Sequence, residues 1–83
     1  YFDMGITYKN QNSYEKAVSA FEKSLQLNSS LVEAHEELGM IYYRNLKNNQ
    51  KAIYHFEKVL AMKPNHPDGD KINSILNVLK GNK

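Results

Sequence analysis

The chain has 83 residues, of which 41% are hydrophobic, and a formal net charge of +2 at pH 7. This length allows one small domain, and the near balance of charge argues against nucleic acid or an anionic lipid surface as its main partner. The sequence has no cysteine, which excludes disulfides, thiolate metal sites and thiol nucleophiles but is compatible with either a cytoplasmic or an envelope location.

Residues 1–9 have apolar side chains at positions 1, 2, 4, 6 and 8, a spacing that also fits a strand. Because the similar stretch around Gly39 has a helical pattern, we predict a first helix here, one that begins without an N-cap. Residues 10–12 predict a turn, and Ser13 is a favourable N-cap for a second helix over residues 14–27. The residues expected mostly on the inner face of this helix are Ala17, Val18, Phe21, Ser24, Leu25 and Leu27.

Residues 28–30 break the pattern, and Ser30 with Glu33 has the spacing of a capping box at the start of a third helix. That helix is expected to run to about Arg44 and to present Ala34, Leu38, Ile41 and Tyr42 inward. After a loop over residues 45–48, Asn48 is predicted to cap a fourth helix that ends before Pro64. Its expected core residues are Ala52, Ile53, Phe56, Val59 and Leu60.

Asn65 is the predicted N-cap of a fifth helix, with Pro67 in its first turn, where a missing N–H is tolerated. Two aspartates near this start favour the positive end of the helix dipole, and Lys80 with Gly81 marks its end. An apolar face at helical spacing is formed by Ile72, Ile75, Leu76 and Leu79.

Gly5 and Gly39 lie 34 residues apart in two similar stretches, each inside a helical pattern. Glycine in a helix costs roughly 1 kcal/mol relative to alanine, so close packing of a neighbouring helix is the natural explanation. The matching positions are Tyr1, Met4, Gly5, Tyr8, Ala17 and Phe21 in the first unit and His35, Leu38, Gly39, Tyr42, Ala52, Phe56 and Pro64 in the second. In this pattern the chain resembles the tetratricopeptide repeat family. It departs from the pattern where that family has tryptophan, at Tyr1 and His35, and by one extra residue in the second inner turn.

The resemblance implies an all-α fold in which antiparallel helix-turn-helix repeats stack as a right-handed α-solenoid of five helices. We expect a first repeat at residues 1–31 with a truncated start, a second at 32–66, and a C-terminal solvating helix and tail at 67–83. Asn73, Ser74 and Asn77 stand where a further helix would pack, so the array is expected to end there.

In the family, the first helix of each repeat lines a concave groove that holds a partner segment. Transferred to this chain, the groove contains Phe2, Ile6, Lys9, Glu33, Glu36, Met40, Tyr43, Arg44, Lys71, Ile75 and Val78. Its central apolar band is formed by Phe2, Ile6, Met40, Tyr43, Ile75 and Val78, with Met40 and Tyr43 as anchors. The resemblance therefore implies a protein–protein interaction module acting as scaffold or adaptor.

The expected ligand is a protein or peptide with apolar and some basic character. We expect no nucleic-acid partner and no insertion of this chain into a membrane. The clamp with which some family members hold acidic chaperone tails is absent, since Phe2, Ile6 and Glu37 stand at its places. The alternative is a structural role, either self-association as a homo-oligomer through the first helix or docking within a longer repeat array. Two repeats bury little surface alone, which favours that alternative.

No residue pattern predicts catalysis, a cofactor or a metal. His35 starts a short motif with two glutamates but lacks a second histidine four residues on, so it is expected to fill a bulky core position. His55 and His66 are isolated and are expected at the surface or in a turn. Ser13 and Ser30 are explained by capping rather than nucleophilic chemistry. The cluster of Glu33, Glu36 and Glu37 on one helix is expected to form a solvated face rather than a chemical site.

Overall fold

The computed structural model describes residues 1–81. They form five helices: α1 (Phe2–Asn10), α2 (Tyr14–Leu27), α3 (Val32–Arg44), α4 (Asn49–Met62) and α5 (Gly69–Leu79). Each helix packs mainly against the next one along the chain, and the closest pairs are α1 with α2 and α3 with α4. The predicted all-α class and the stacked helix-turn-helix repeats are confirmed. Residues 82 and 83, which we assigned to the tail, lie outside the described residues.

The two helix pairs are built around the same contact between a glycine and a phenylalanine ring. A Cβ atom added at Gly5 would lie 2.6 Å from the ring of Phe21, and one added at Gly39 would lie 2.7 Å from the ring of Phe56. Both rings are fully buried. Glycine therefore permits each ring of the second helix to lie directly on the backbone of the first, which explains the 34-residue spacing of the two glycines.

The core continues between the two repeats and under α5. Its buried apolar residues include Ala17, Phe21, Leu38, Ile41, Ala52, Phe56, Val59, Ile72 and Leu76. Leu27, which we expected on the inner face of α2, is instead exposed. It lies two residues after Leu25, and at about 100° per residue this rotation turns its side chain toward the opposite face.

The inner turns of the two repeats close with the same backbone hydrogen bond although the second turn has one more residue. The Ser13 N–H donates to the Tyr8 carbonyl at 2.8 Å, and the Asn48 N–H donates to the Tyr42 carbonyl at 2.9 Å. In both turns the residue just before the donor has a left-handed backbone, with φ of 62° and 56°. The extra residue therefore extends the loop without changing the backbone hydrogen bond that closes it.

Of the predicted helix caps before α2, α3 and α4, only one forms. The Asn48 Oδ1 accepts a hydrogen bond from the Lys51 N–H at 3.2 Å, as predicted. Ser13 occupies the N-cap position of α2, but its hydroxyl makes no bond to the helix. The capping box is wrong, because Leu31 is the N-cap of α3. The Ser30 N–H instead donates to the Asn28 Oδ1 at 3.1 Å, which holds the serine in the preceding turn.

The N-cap of α5 is Asp68, three residues after the predicted cap at Asn65. The His66 N–H donates to the Lys63 carbonyl at 3.0 Å, and the Gly69 N–H donates to the His66 carbonyl at 2.9 Å, so two successive turns precede the helix. Pro67 disfavours helical backbone at the residue before it, so the helix starts only beyond the proline. The end is as predicted, with Gly81 in a left-handed conformation at φ 78°. No helix within residues 1–81 is both long enough and apolar enough to cross a membrane.

Candidate functional site

A small cleft lies on the side of the molecule where α5 packs beside the second repeat. It has a volume of about 100 Å³ and lies between α3 and α5. Its lining residues are Glu36, Met40, Phe56, Asp68, Lys71, Ile72 and Ile75. Four of the predicted groove residues, Glu36, Met40, Lys71 and Ile75, therefore meet at one place although they come from two helices.

The remaining apolar groove residues differ in how much surface they offer. Phe2, Ile6 and Tyr43 are half-buried against the core, and the ring of Phe2 lies 5.4 Å from that of Phe21. Val78 is exposed. Ile75, which we expected in the exposed band, is only 8% exposed, because it faces the core beneath the cleft. It therefore lies at the bottom of the cleft and contributes little exposed surface to it.

Some charged groups on this side already have partners. The Lys9 Nζ donates to the Glu37 Oε1 at 2.8 Å, which ties α1 to α3. Glu36 contacts the imidazole of His66 in the turn before α5. Glu33 and Arg44 are exposed. The acidic cluster of α3 is thus only partly a solvated face, since two of its three carboxylates bind neighbouring elements.

A pair of buried histidines lies between α3 and α4. The Nδ1 atoms of His35 and His55 are 2.9 Å apart, so one ring donates its N–H and the other accepts it. Burial, then the charges of His35 and Lys51, lower the pKa of His55 to about 4. Burial and then Lys58 lower the pKa of His35 as well. Both rings are therefore neutral at pH 7, as a single shared hydrogen bond requires.

The histidine pair continues into a polar link between the two repeats. The ring of Tyr42 stacks on His55 with 5.8 Å between centroids, and its hydroxyl donates to the Glu22 Oε2 at 3.4 Å. Burial, then the charge of Glu22 and this hydrogen bond, raise the pKa of Tyr42 to about 12. The phenol consequently stays protonated as a donor to the carboxylate of α2.

His35 fills a core position as predicted, but the expectation that His55 lies at the surface is wrong. The two residues are 20 positions apart, and only the antiparallel packing of α3 on α4 brings their rings together. One sequence signal could have found His55. It directly precedes Phe56, as the buried Ala20 directly precedes Phe21 in the first repeat.

The histidine pair forms the base of a wider cleft of about 660 Å³ on the side of α2 and α4. Glu22, Leu25, Tyr54 and Lys58 line its walls, which mix charged and apolar side chains. Among residues 1–81, no three histidine, cysteine or acidic side chains come close enough together to hold a metal ion.

Two helix pairs with the same glycine-on-ring contact, followed by a fifth helix, define a helix-turn-helix repeat protein. A family model described as "TPR repeat" matches residues 1–45, and one described as "Tetratricopeptide repeat" matches residues 32–66. The chain belongs to the tetratricopeptide repeat family, which confirms the resemblance. Repeats of this kind stack into surfaces that bind other proteins, so at this coarse level the chain is an interaction scaffold.

Two curated fungal proteins are similar to the chain. It is 39% identical over 64 residues to "Anaphase-promoting complex subunit CDC16" of Saccharomyces cerevisiae, across 77% of this chain and 8% of that protein. It is 31% identical over 62 residues to "Anaphase-promoting complex subunit 3" of Schizosaccharomyces pombe, across 75% of this chain and 9% of that protein. The chain therefore spans less than a tenth of either relative. No solved structure matches it significantly.

Proposed function

We propose that the chain binds a partner peptide or helix in the groove on the side of α1, α3 and α5, as a scaffold or adaptor. The observation that carries the proposal is the cleft between α3 and α5, where Met40 lies beside Glu36 and Lys71. In this proposal the chain divides into repeats at residues 1–31 and 32–66 and a solvating helix with its tail at 67–83. Similarity to subunits of a multiprotein complex supports a binding role of this kind.

The groove is suited to binding because its side chains are already held in place. Met40 and Tyr43 are half-buried on α3, so each has one side on the core and one side available to a ligand. A preformed surface loses little conformational entropy on binding, and methionine and tyrosine are both enriched at protein interfaces. These two residues are our proposed anchors.

The basic character proposed for the ligand is supported by the carboxylates of α3 that border the groove. Glu33 is exposed, and the side chain of Glu36 keeps 30% of its surface beside the cleft. Lys9, in contrast, already donates to Glu37. A basic ligand therefore meets the exposed carboxylate of Glu33, while Arg44 and Lys71 add two exposed positive charges to the same groove.

A second candidate function is docking through the outer face of the first repeat, either to another copy or within a longer array. The specific observation that favours it is the exposure of two large side chains, Tyr1 just before α1 and Met4 on α1. Contiguous exposed apolar surface is typical of an interface.

The groove proposal is tested with peptides selected from a random 12-residue display library against the whole chain. We expect the selected peptides to be apolar and basic. The double variant Met40→Ala/Tyr43→Ala should bind them at least roughly 30-fold more weakly, because the loss of even one anchor that contributes about 2 kcal/mol corresponds to that factor. Fluorescence anisotropy measures the affinities, and far-UV circular dichroism checks that helicity is retained.

The chain offers a matched control on its other side. Tyr54→Ala/Met62→Ala removes the same two side-chain types from exposed positions on α4 and should leave peptide binding unchanged. If the two double variants bind the peptides equally well, the groove is not the binding site.

A further inference from the structure

The wider cleft of about 660 Å³ is bordered by α2, the turn that follows it, the start of α3, and α4. Besides the histidine pair at its base, it is lined by Lys58 and by two serines of the turn, Ser29 and Ser30. These groups have no part in the groove proposal, which concerns the side of α1, α3 and α5. A lysine, imidazole nitrogens and hydroxyls around one space suit an anion that is rich in oxygen atoms.

The histidine pair presents a hydrogen-bond donor to this cleft. His35 is 6% and His55 7% exposed, and the bond between them uses only their Nδ1 atoms. Neither Nε2 atom bonds to another group within residues 1–81, where no buried side-chain nitrogen lacks a partner, so both atoms reach the open cleft. Since both rings are neutral at pH 7, the ring that accepts at Nδ1 has its proton on Nε2. A buried imidazole N–H is therefore available to a ligand.

Lys58 supplies a positive charge beside the pair. Its Nζ lies 5.5 Å from the ring centroid of Tyr54, and no carboxylate in the described part of the chain forms an ion pair with it. After burial, the charge of Lys58 is the second cause that lowers the pKa of His35, so the two side chains are close. Because α3 and α4 are antiparallel, Lys58 lies on the side of His55 that leads toward the start of α3.

Ser30 is the serine best placed to bring an anion to this space. It is exposed, and its N–H donates to the Asn28 Oδ1 at 3.1 Å, while its hydroxyl bonds to no group of residues 1–81. It directly precedes Leu31, the N-cap of the 13-residue helix α3, whose positive end favours a negative charge. Glu33 follows three residues later, and acidic residues after a serine are one of the charge patterns that kinases select.

We propose that Ser30 is a phosphorylation site and that its phosphate is held in the cleft by Lys58 and by the N–H of the histidine pair. The reaction needs a serine kinase and a nucleoside triphosphate. A bond forms between the Ser30 Oγ and the γ-phosphorus, the bond from that phosphorus to the bridging oxygen breaks, the diphosphate leaves, and a base of the kinase takes the hydroxyl proton. The product has a charge of about −1.5 to −2 at pH 7 and three acceptor oxygens, so it joins the turn to α4.

Glu22 is the charge that opposes this arrangement, because its carboxylate also borders the cleft. It accepts a hydrogen bond from the Tyr42 hydroxyl at 3.4 Å, and Lys51 Nζ lies 5.4 Å from the centroid of the same ring. Glu22→Gln keeps an oxygen that accepts this bond but removes the negative charge. The substitution should therefore increase the stabilisation that phosphorylation of Ser30 gives.

The first test compares whole chains with phosphoserine introduced by genetic-code expansion at Ser30 or at the exposed Ser74 of α5. At Ser30 it should raise the ratio of folded to unfolded chain in urea by about fivefold or more, because charge-assisted bonds form only in the folded state. At Ser74 it should give no such gain. Lys58→Ala should remove most of the gain at Ser30. Lys16→Ala, which removes another exposed lysine that lies over a tyrosine ring, is the matched control and should keep it.

Two spectroscopic measurements need no substitution in the core. In phosphorus NMR, the second pKa of the phosphate, ordinarily about 6, should be lower at Ser30 than at Ser74 and should rise again with Lys58→Ala. In nitrogen NMR of the histidine rings, the Nε2 signals of His35 and His55 should shift with phosphoserine at Ser30 but not at Ser74. A gain at Ser30 no larger than at Ser74, a gain unchanged by Lys58→Ala, or unshifted Nε2 signals would overturn the proposed phosphate contacts.

The modification itself is tested separately. The folded chain is incubated with ATP and a serine kinase that selects acidic residues after the serine, and the product is mapped by mass spectrometry. We expect one phosphate at Ser30 and at least about a tenfold loss of incorporation with Ser30→Ala, whereas Ser74→Ala should have no effect. A folded chain that is not phosphorylated at Ser30 would overturn the assignment of this site.

Discussion

Replacing Gly39 with alanine tests whether the glycine-on-ring contact determines how the helix pairs form. The added methyl group would lie 2.7, 2.8 and 3.0 Å from three atoms of the Phe56 ring. Carbon atoms in ordinary contact are about 3.5–4.0 Å apart, so each of these distances is a steric overlap. Phe56 is fully buried, and the ring cannot move aside without displacing its neighbours.

Two opposing effects decide the change in stability. Alanine gains about 1 kcal/mol over glycine in a helix, whereas an extra methyl group in a packed core costs typically about 1–3 kcal/mol. Because three ring atoms are involved and the ring is enclosed, we place the cost at the upper end. Gly39→Ala should therefore destabilise the chain by about 2 kcal/mol, which corresponds to a decrease in Tm of about 10 °C for a domain of this size.

The assay is urea unfolding monitored by circular dichroism, and the m-value should be the same for the variant and the unmodified chain. Gly69→Ala is the matched control, because its new methyl group would meet only Leu60, at 3.9 Å. It should be neutral or stabilising by up to about 1 kcal/mol. In a Phe56→Leu background the cost of Gly39→Ala should shrink by at least about 1 kcal/mol. A Gly39→Ala chain as stable as the unmodified one, or a cycle without coupling, would refute the reasoning.

Two further predictions concern pH and capping. Because the pKa of buried His55 is about 4 and that of an exposed histidine is 6.5, the unfolded chain binds protons first as pH falls. The free energy of unfolding is therefore highest above pH 6.5, and urea unfolding should show that it decreases by about 2 kcal/mol between pH 6.5 and 5. A His55→Ala variant whose stability depends on pH in the same way would contradict this. Asn48→Ala should lower the free energy of unfolding by about 1 kcal/mol because it removes a cap hydrogen bond, whereas Ser13→Ala should leave it nearly unchanged. Equal losses of stability in thermal unfolding would argue against this difference between the two caps.

The repeat pattern was predictable because it depends on residues close in sequence and repeated at a fixed interval. Gly39 lies in a helical stretch where glycine is unfavourable, and its partner Phe56 recurs with it, so their contact could be inferred before any helix was placed. The bounds of α2 follow in the same way from local turn residues on each side.

Other features depend on geometry that local patterns do not contain. Ser30 has a capping-box spacing, but its amide is held by Asn28 in a turn, so competition between two local hydrogen bonds decided the start of α3. The contact of His35 with His55 depends on how far the helices rotate about their axes. The sequence assigned Glu36, Met40, Lys71 and Ile75 to the groove, and all four line the cleft. The burial of Ile75 could not be predicted, because it depends on how closely α5 packs on the core.

The sequential packing of the helices also determines how the native state opens. Since each helix rests mainly on its neighbours along the chain, α1 or α5 can detach while the contact between α3 and α4 stays intact. Partial unfolding should thus proceed from the ends inward, with the slowest amide exchange in the middle of the chain.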